Sequence, residues 1–142
     1  MPFLLDTNVI SAARRPEKQD QAFQKFLHHF DMKDAFLSSV TIMEIQFGIK
    51  QVQNKDPAFV DDLERWLKNI VLTKFTGRII AFDLTIALRA GALPTPNRRP
   101  TPDAMIAATA LERNLQVITR NIAHFKTLGV TCIDPWRGSS SD

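Results

Sequence analysis

The chain opens on a short apolar run, Phe3-Leu4-Leu5, that stops at an acid, Asp6. After Thr7 and Asn8 the apolar residues Val9, Ile10, Ala12 and Ala13 return at helical intervals. A run too short for a helix, a polar break and a helix-period stretch predict a buried strand, a turn and a helix. The same grammar recurs. Ala35 to Val40 predicts a second strand, and after Thr41 a strongly apolar helix runs from Ile42 to Ile49. Ile79 to Phe82 predicts a short strand, with Asp83 capping a helix from Leu84 to about Ala92. Leu115 to Thr119 and Val130 to Ile133 predict the last strands, with a short helical turn from Ile122 to Phe125 between them. Strands alternating with helices predict an α/β fold: a central parallel sheet of about four to five strands, flanked by helices on both faces. Right-handed crossovers bring every strand's carboxyl end to one edge, the edge at which open α/β sheets bind ligands.

Two further helices read as amphipathic. Lys18 to about Met32 carries Ala22, Phe23, Phe26, Leu27 and Phe30 on one face, with His28 and His29 expected at the surface or partly buried. Pro57 to Leu72 carries Phe59, Val60, Leu63, Trp66, Leu67 and Ile70. From Leu93 to Pro102 the prolines at 94, 96, 100 and 102 exclude a regular helix or central strand. That stretch predicts an extended loop presenting Arg98 and Arg99. Thr101 then reads as an N-cap with Pro102 at the first helical position. The helix that follows, through Ala104, Ile106, Ala107, Ala108, Ala110 and Leu111, has almost no polar face and is expected to be central.

Composition narrows the class. At 142 residues and 44% hydrophobic the chain suits one domain with a real core, placed at residues 1–137, with 138–142 as a disordered tail. The single cysteine, Cys132, excludes an intrachain disulfide and is expected in the core. No apolar run reaches membrane-spanning length and no signal peptide is apparent, which predicts a cytoplasmic protein with no membrane partner. A formal charge of +3 permits a nucleic-acid partner without demanding one.

Three carboxylates then stand out. Asp6 follows the first strand, Glu44 lies in the first turn after the second, and Asp103 lies in the first turn of the central helix. Each also has a plain structural reading: Asp6 as a helix cap, Glu44 as the partner of Thr41 in a capping box, Asp103 as an acid at a helix N-terminus. The topology makes them converge with the Thr119-Arg120-Asn121 turn, and clustered carboxylates repel unless a cation intervenes. Hard oxygen ligands suit Mg²⁺ or Mn²⁺, which activate water for phosphodiester hydrolysis.

These stretches together resemble the PIN-domain family, in particular the VapC and FitB type of toxin from type II toxin–antitoxin pairs. Leu-Leu-Asp6-Thr-Asn-Val-Ile-Ser resembles the first motif and Ser-Ser-Val-Thr41-Ile-Met-Glu44-Ile the second. Pro-Asp103-Ala-Met-Ile-Ala-Ala resembles the third, Val-Ile-Thr119-Arg120-Asn121-Ile-Ala-His124-Phe the fourth, and Ile-Asp-Pro-Trp the ending. The resemblance implies a metal-dependent endoribonuclease hydrolysing RNA by metal-activated water. Asp6, Glu44 and Asp103 would bind the metal, with Asn121 contributing through its carbonyl or a water. Thr7, Asn8 and Thr119 would support that shell, and Arg98, Arg99 and Arg120 would contact the RNA backbone. The fourth motif departs from the pattern: Asn121 and His124 stand where a further acid is usual, which predicts one well-formed Mg²⁺ site rather than two. Base stacking on aromatic residues is not expected, since no aromatic cluster stands near the motifs. The resemblance also implies a homodimer, a cognate antitoxin that blocks the site, and promoter DNA bound only through the antitoxin.

Two rivals remain. An aspartate-nucleophile phosphatase also places an Asp after its first strand, but needs a second Asp where this chain has Asn8. A catalytically weak or inactive regulatory PIN module, acting with its antitoxin on promoter DNA, is the non-enzymatic alternative.

Overall fold

A computed structural model describes residues 2–95 and 99–137. Five parallel strands form one sheet in the order β3-β2-β1-β4-β5: β1 (Phe3–Leu5), β2 (Ala35–Ser38), β3 (Ile79–Ile80), β4 (Gln116–Ile118) and β5 (Cys132–Ile133). The chain starts in the middle, moves outward through β2 and β3, then returns to the other side of β1 for β4 and β5. The order therefore reverses between β1 and β4. A crevice opens at such a reversal beyond the strands' carboxyl ends, and Asp6 and Thr119 are the residues that follow those two strands.

Side-chain alternation explains why these brief runs are strands. Leu4 and Val117 face one apolar cluster, with Ile86, Ala104, Ala107, Ala108 and Phe125. Leu5 and Ile118 face the opposite cluster, with Val9, Phe23, Leu37, Ile45 and Val60. Period-two alternation between two buried faces is what a sheet covered on both sides requires.

The helices are α1 (Thr7–Ala13), α2 (Gln21–His29), α3 (Ser39–Val52), α4 (Pro57–Trp66), α5 (Leu72–Lys74), α6 (Leu84–Ala92), α7 (Pro102–Arg113) and α8 (Ile122–Thr127). A π-helical turn, Leu67–Val71, joins α4 to α5. Helix α7 starts as expected: Pro102 is at its first turn and the Thr101 hydroxyl accepts from the Ala104 N–H at 3.1 Å. Its alanines at 104, 107, 108 and 110 are buried, so this helix lies close against α6 and the sheet. It ends on Asn114 at φ 61°, a left-handed conformation that Asn tolerates better than most residues.

Several expectations need correction. Strand β2 stops at Ser38, two residues early, because the Ser38 hydroxyl accepts from the Val40 N–H at 3.0 Å and caps α3 there. Thr41 is thus inside the helix, and the expected capping box with Glu44 does not form. Helix α2 is shorter than the apolar spacing implied; Asp20 caps it and 3-10 turns flank it at Pro16–Lys18 and Met32–Asp34. Cys132 is half-buried at the sheet edge rather than in the core. The expected tail, 138–142, lies outside the described residues. Among those described, no helix is long and apolar enough to cross a membrane.

Candidate active site

Asp6 is the centre of the crevice. Its backbone N–H continues the ladder to Ile118 at 2.9 Å, so the carboxylate is fixed at the switch between β1 and β4. One oxygen, Oδ1, accepts from the Thr7 N–H at 2.8 Å, which is the helix cap. The other, Oδ2, accepts from the Thr119 hydroxyl at 2.7 Å and from Asn8 Nδ2 at 3.1 Å. Oδ1 therefore serves as the helix cap, while Oδ2 is held by Thr119 and Asn8.

Asp6 is only 2% exposed. Burial raises its pKa from the ordinary 3.8 to about 6, against the hydrogen bonds from Thr119 and Thr7, which lower it; the nearby charges of Asp103 and Glu44 raise it further. Among the described residues, no arginine or lysine pairs with Asp6 or Glu44. Around Asp6 and Glu44 the crevice thus concentrates negative charge that, among the described residues, no arginine or lysine offsets.

Thr7 brings Glu44 in. Its hydroxyl donates to Glu44 Oε1 at 2.5 Å and lies 3.1 Å from the hydroxyl of buried Thr41. With the cap moved back to Ser38, Thr41 turns inward to Thr7, and Glu44 reaches the crevice from the second turn of α3. Asp103, in the first turn of α7, approaches from the far side. Its Oδ2 lies 3.0 Å from Nδ1 of His124, an exposed residue of α8. A small cleft between α7 and α8 is lined by Thr101, Asp103, His124, Thr127 and Leu128.

Asp6, Thr7, Asn8, Glu44, Thr41 and Thr119 therefore form one hydrogen-bonded set, and Asp103 reaches it through its charge. Among the described residues, no group of three His, Cys, Asp or Glu side chains stands placed to hold a metal ion, since Glu44 and Asp103 turn to Thr7 and His124. The donor chemistry nonetheless suits a hard divalent cation: every acid is a carboxylate oxygen donor, and the most buried one carries an uncompensated charge. Asn121 is exposed; its N–H donates to Thr119 Oγ1 at 2.9 Å, and its side chain makes no capping bond. Arg99 is exposed, and Arg98 lies outside the described residues.

Arg120 brings an arrangement that the sequence reading did not anticipate. Its backbone N–H donates to Asn8 Oδ1 at 3.3 Å, and its guanidinium carbon sits 4.8 Å from the centre of the Trp136 ring. Trp136 in turn stacks on Phe23, with ring centres 4.3 Å apart. Aromatic residues do stand beside the fourth motif. They come from α2 and the end of the chain, so no local spacing reveals them.

Comparison with known proteins gives consistent matches. The family model described as PIN domain matches residues 3–129. The chain is 33% identical to Toxin FitB of Neisseria gonorrhoeae over 138 residues, covering 94% of this chain and 97% of the relative. It is 30% identical to VapC ribonuclease Y4jK of Sinorhizobium fredii, again over 138 residues, with 94% and 96% covered. Among solved structures, FitAB bound to an IR36 DNA fragment contains a chain that superposes with a TM-score of 0.84 at 28% identity, covering 99% of both chains.

Proposed function

This chain belongs to the PIN-domain family, and on that premise we propose that it is the toxin of a toxin–antitoxin pair and an endoribonuclease dependent on Mg²⁺ or Mn²⁺. Asp6, Glu44 and Asp103 hold the cation in this reading, with Asn121 at its outer edge. A bound divalent ion supplies Lewis acidity that makes water nucleophilic near neutral pH and offsets charge on the phosphoryl oxygens. The remaining work falls to the chain. Thr119, Asn8 and the Thr7 N–H keep Asp6 ionised and oriented. Glu44, held at one oxygen by Thr7, would take the proton of the attacking water as the P–O bond opposite it breaks, and the departing ribose oxygen takes a proton from solvent. Arg99 meets the RNA backbone at the mouth.

The observation that carries this reading is the buried, uncompensated charge of Asp6. A structural cap has no need of a second, desolvated oxygen held by two further donors. The names of the relatives, a toxin and a ribonuclease, support the same activity. They also support an antitoxin partner, and the FitAB structure with its IR36 DNA fragment supports DNA binding by the assembled pair. A homodimer is supported by apolar side chains left exposed in pairs one turn apart: Met43 and Phe47 on α3, Leu84 and Leu88 on α6.

The test is calorimetric binding of Mg²⁺ and Mn²⁺ to the protein and to Asp103→Asn, alongside RNA cleavage with and without a chelator. Binding and cleavage that both vanish in the variant support the reading. Cleavage that persists in chelator refutes it. One observation favours the regulatory alternative, the engagement of Asp103 by His124 in place of a further acid. Intact antitoxin binding with no cleavage at saturating metal would establish it.

A further inference from the structure

We propose that Arg120, seated on Trp136, is a stacking platform for an unpaired nucleobase of the RNA beside the bond that is cut; this rests on the ribonuclease reading above. Two aromatic side chains and a cation form a ladder rising out of the core. Phe23 is fully buried in the cluster beneath the sheet. Trp136 lies on it, half-buried, and is pinned by Nε1–H to Gln19 Oε1 at 3.2 Å and by its backbone N–H to Asp134 Oδ1 at 2.8 Å. The Arg120 guanidinium covers the ring at 4.8 Å and is the exposed top of the ladder.

Among the described residues, the Arg120 side chain makes no hydrogen bond and no ion pair. Its position is set by the aromatic seat alone, which leaves the outer face of a planar, weakly hydrated cation open to solvent. Guanidinium planes and aromatic rings are the surfaces on which single-stranded bases stack. A lysine that only neutralised phosphate would have no use for such a seat. The ladder also stands in the right place. Arg120 follows Thr119, whose hydroxyl holds Asp6, and its own N–H is held by Asn8, which holds the same carboxylate oxygen. A base on Arg120 therefore anchors the strand next to the crevice. Stacking tolerates any base, so the platform selects unpaired RNA over duplex rather than one sequence over another.

The experiment measures binding of a fluorescein-labelled single-stranded oligoribonucleotide by anisotropy, in chelator so that nothing is cut. A ribose-phosphate oligomer of equal length without bases is the second probe. Arg120→Lys keeps the charge and removes the plane. It is expected to weaken binding of the RNA about tenfold, to leave the slope of affinity against salt unchanged, and to leave binding of the base-free oligomer unchanged. Trp136→Leu is expected to act in the same direction. Because that change also disturbs Phe23, the lysine variant, which buries nothing, decides the matter. Equal affinity of Arg120→Lys and the unaltered protein for the RNA overturns the platform while leaving the ribonuclease reading intact. No binding of either probe to the unaltered protein overturns the platform, and no cleavage of the RNA on adding Mg²⁺ or Mn²⁺ overturns the ribonuclease reading as well.

Discussion

Replacing Asp6 by Asn should make the metal-free protein more stable at neutral pH. The magnitude follows from burial. A pKa raised from 3.8 to about 6 means that ionising Asp6 costs more in the fold than in the unfolded chain, by about 3 kcal/mol at 1.36 kcal/mol per pKa unit. The folded state holds the proton more tightly, so stability declines as pH rises from about 4 to about 6, and the full cost is present above that window. Asparagine removes the charge and keeps most of the hydrogen bonds. Its oxygen can accept from the Thr7 N–H and its amide can donate to the Thr119 hydroxyl, but it meets Asn8 Nδ2 donor to donor. That mismatch returns roughly 1 kcal/mol, leaving a net gain of about 2 kcal/mol at pH 7. Urea unfolding in chelator, at several pH values between 4 and 7.5, measures it. The advantage of the variant should shrink toward pH 4. Adding divalent metal should stabilise only the unaltered protein, by about 2.7 kcal/mol at a hundred times Kd. An Asp6→Asn protein less stable than the parent at pH 7, with the same pH dependence, would refute the assignment of an uncompensated buried charge.

Thr119→Val removes the shortest hydrogen bond to Asp6, so the Asp6 pKa should rise above its present value, as read from carbon-detected NMR titration of the carboxyl group. Thr101→Ala deletes the cap of the helix that carries Asp103 and should cost about 1 kcal/mol in urea unfolding. Phe125→Ala opens a cavity under α8, beside the fourth motif, and should cost about 3–5 kcal/mol. Ser38→Ala leaves the Val40 N–H without its buried partner; it should destabilise by about 1–2 kcal/mol and weaken divalent-ion binding in calorimetry, because α3 carries Glu44.

The parts legible in the sequence are those that local physics decides. Leu4 and Leu5 alternate between two apolar clusters, and a run of three apolar residues cut off by an acid announces a strand end. Thr101-Pro102 announces α7 because cap and first-turn preferences act within four residues. The start of α3 was less legible, because Ser38, Ser39 and Thr41 all have capping side chains. The choice falls to Ser38 since Thr41 is drawn to Thr7 from across the sheet. The topology puts Asp6, Glu44 and Asp103 along one edge of the sheet, but Glu44 turns to Thr7 and Asp103 to His124, partners that the sequence did not announce. His124 reaches Asp103 only because α8 packs beside α7. The Phe23–Trp136–Arg120 ladder joins α2, the last residues and the fourth motif, and no periodicity links segments so far apart.

The sheet order also governs when the site comes into being. β1 precedes the other four strands of the sheet in the chain, yet it is the middle strand, and its partner on one side is β4, where Phe3 sits opposite Gln116 and Leu5 opposite Ile118. Pairings between such distant segments form late, because a long loop must close before they contribute anything. A chain in which β4 has not yet docked therefore has Asp6 with its second oxygen held by Asn8 alone, and no crevice for it to sit in. The crevice is thus completed only when β4 docks beside β1, so Asp6 gains its full set of hydrogen bonds in the last steps of folding rather than the first.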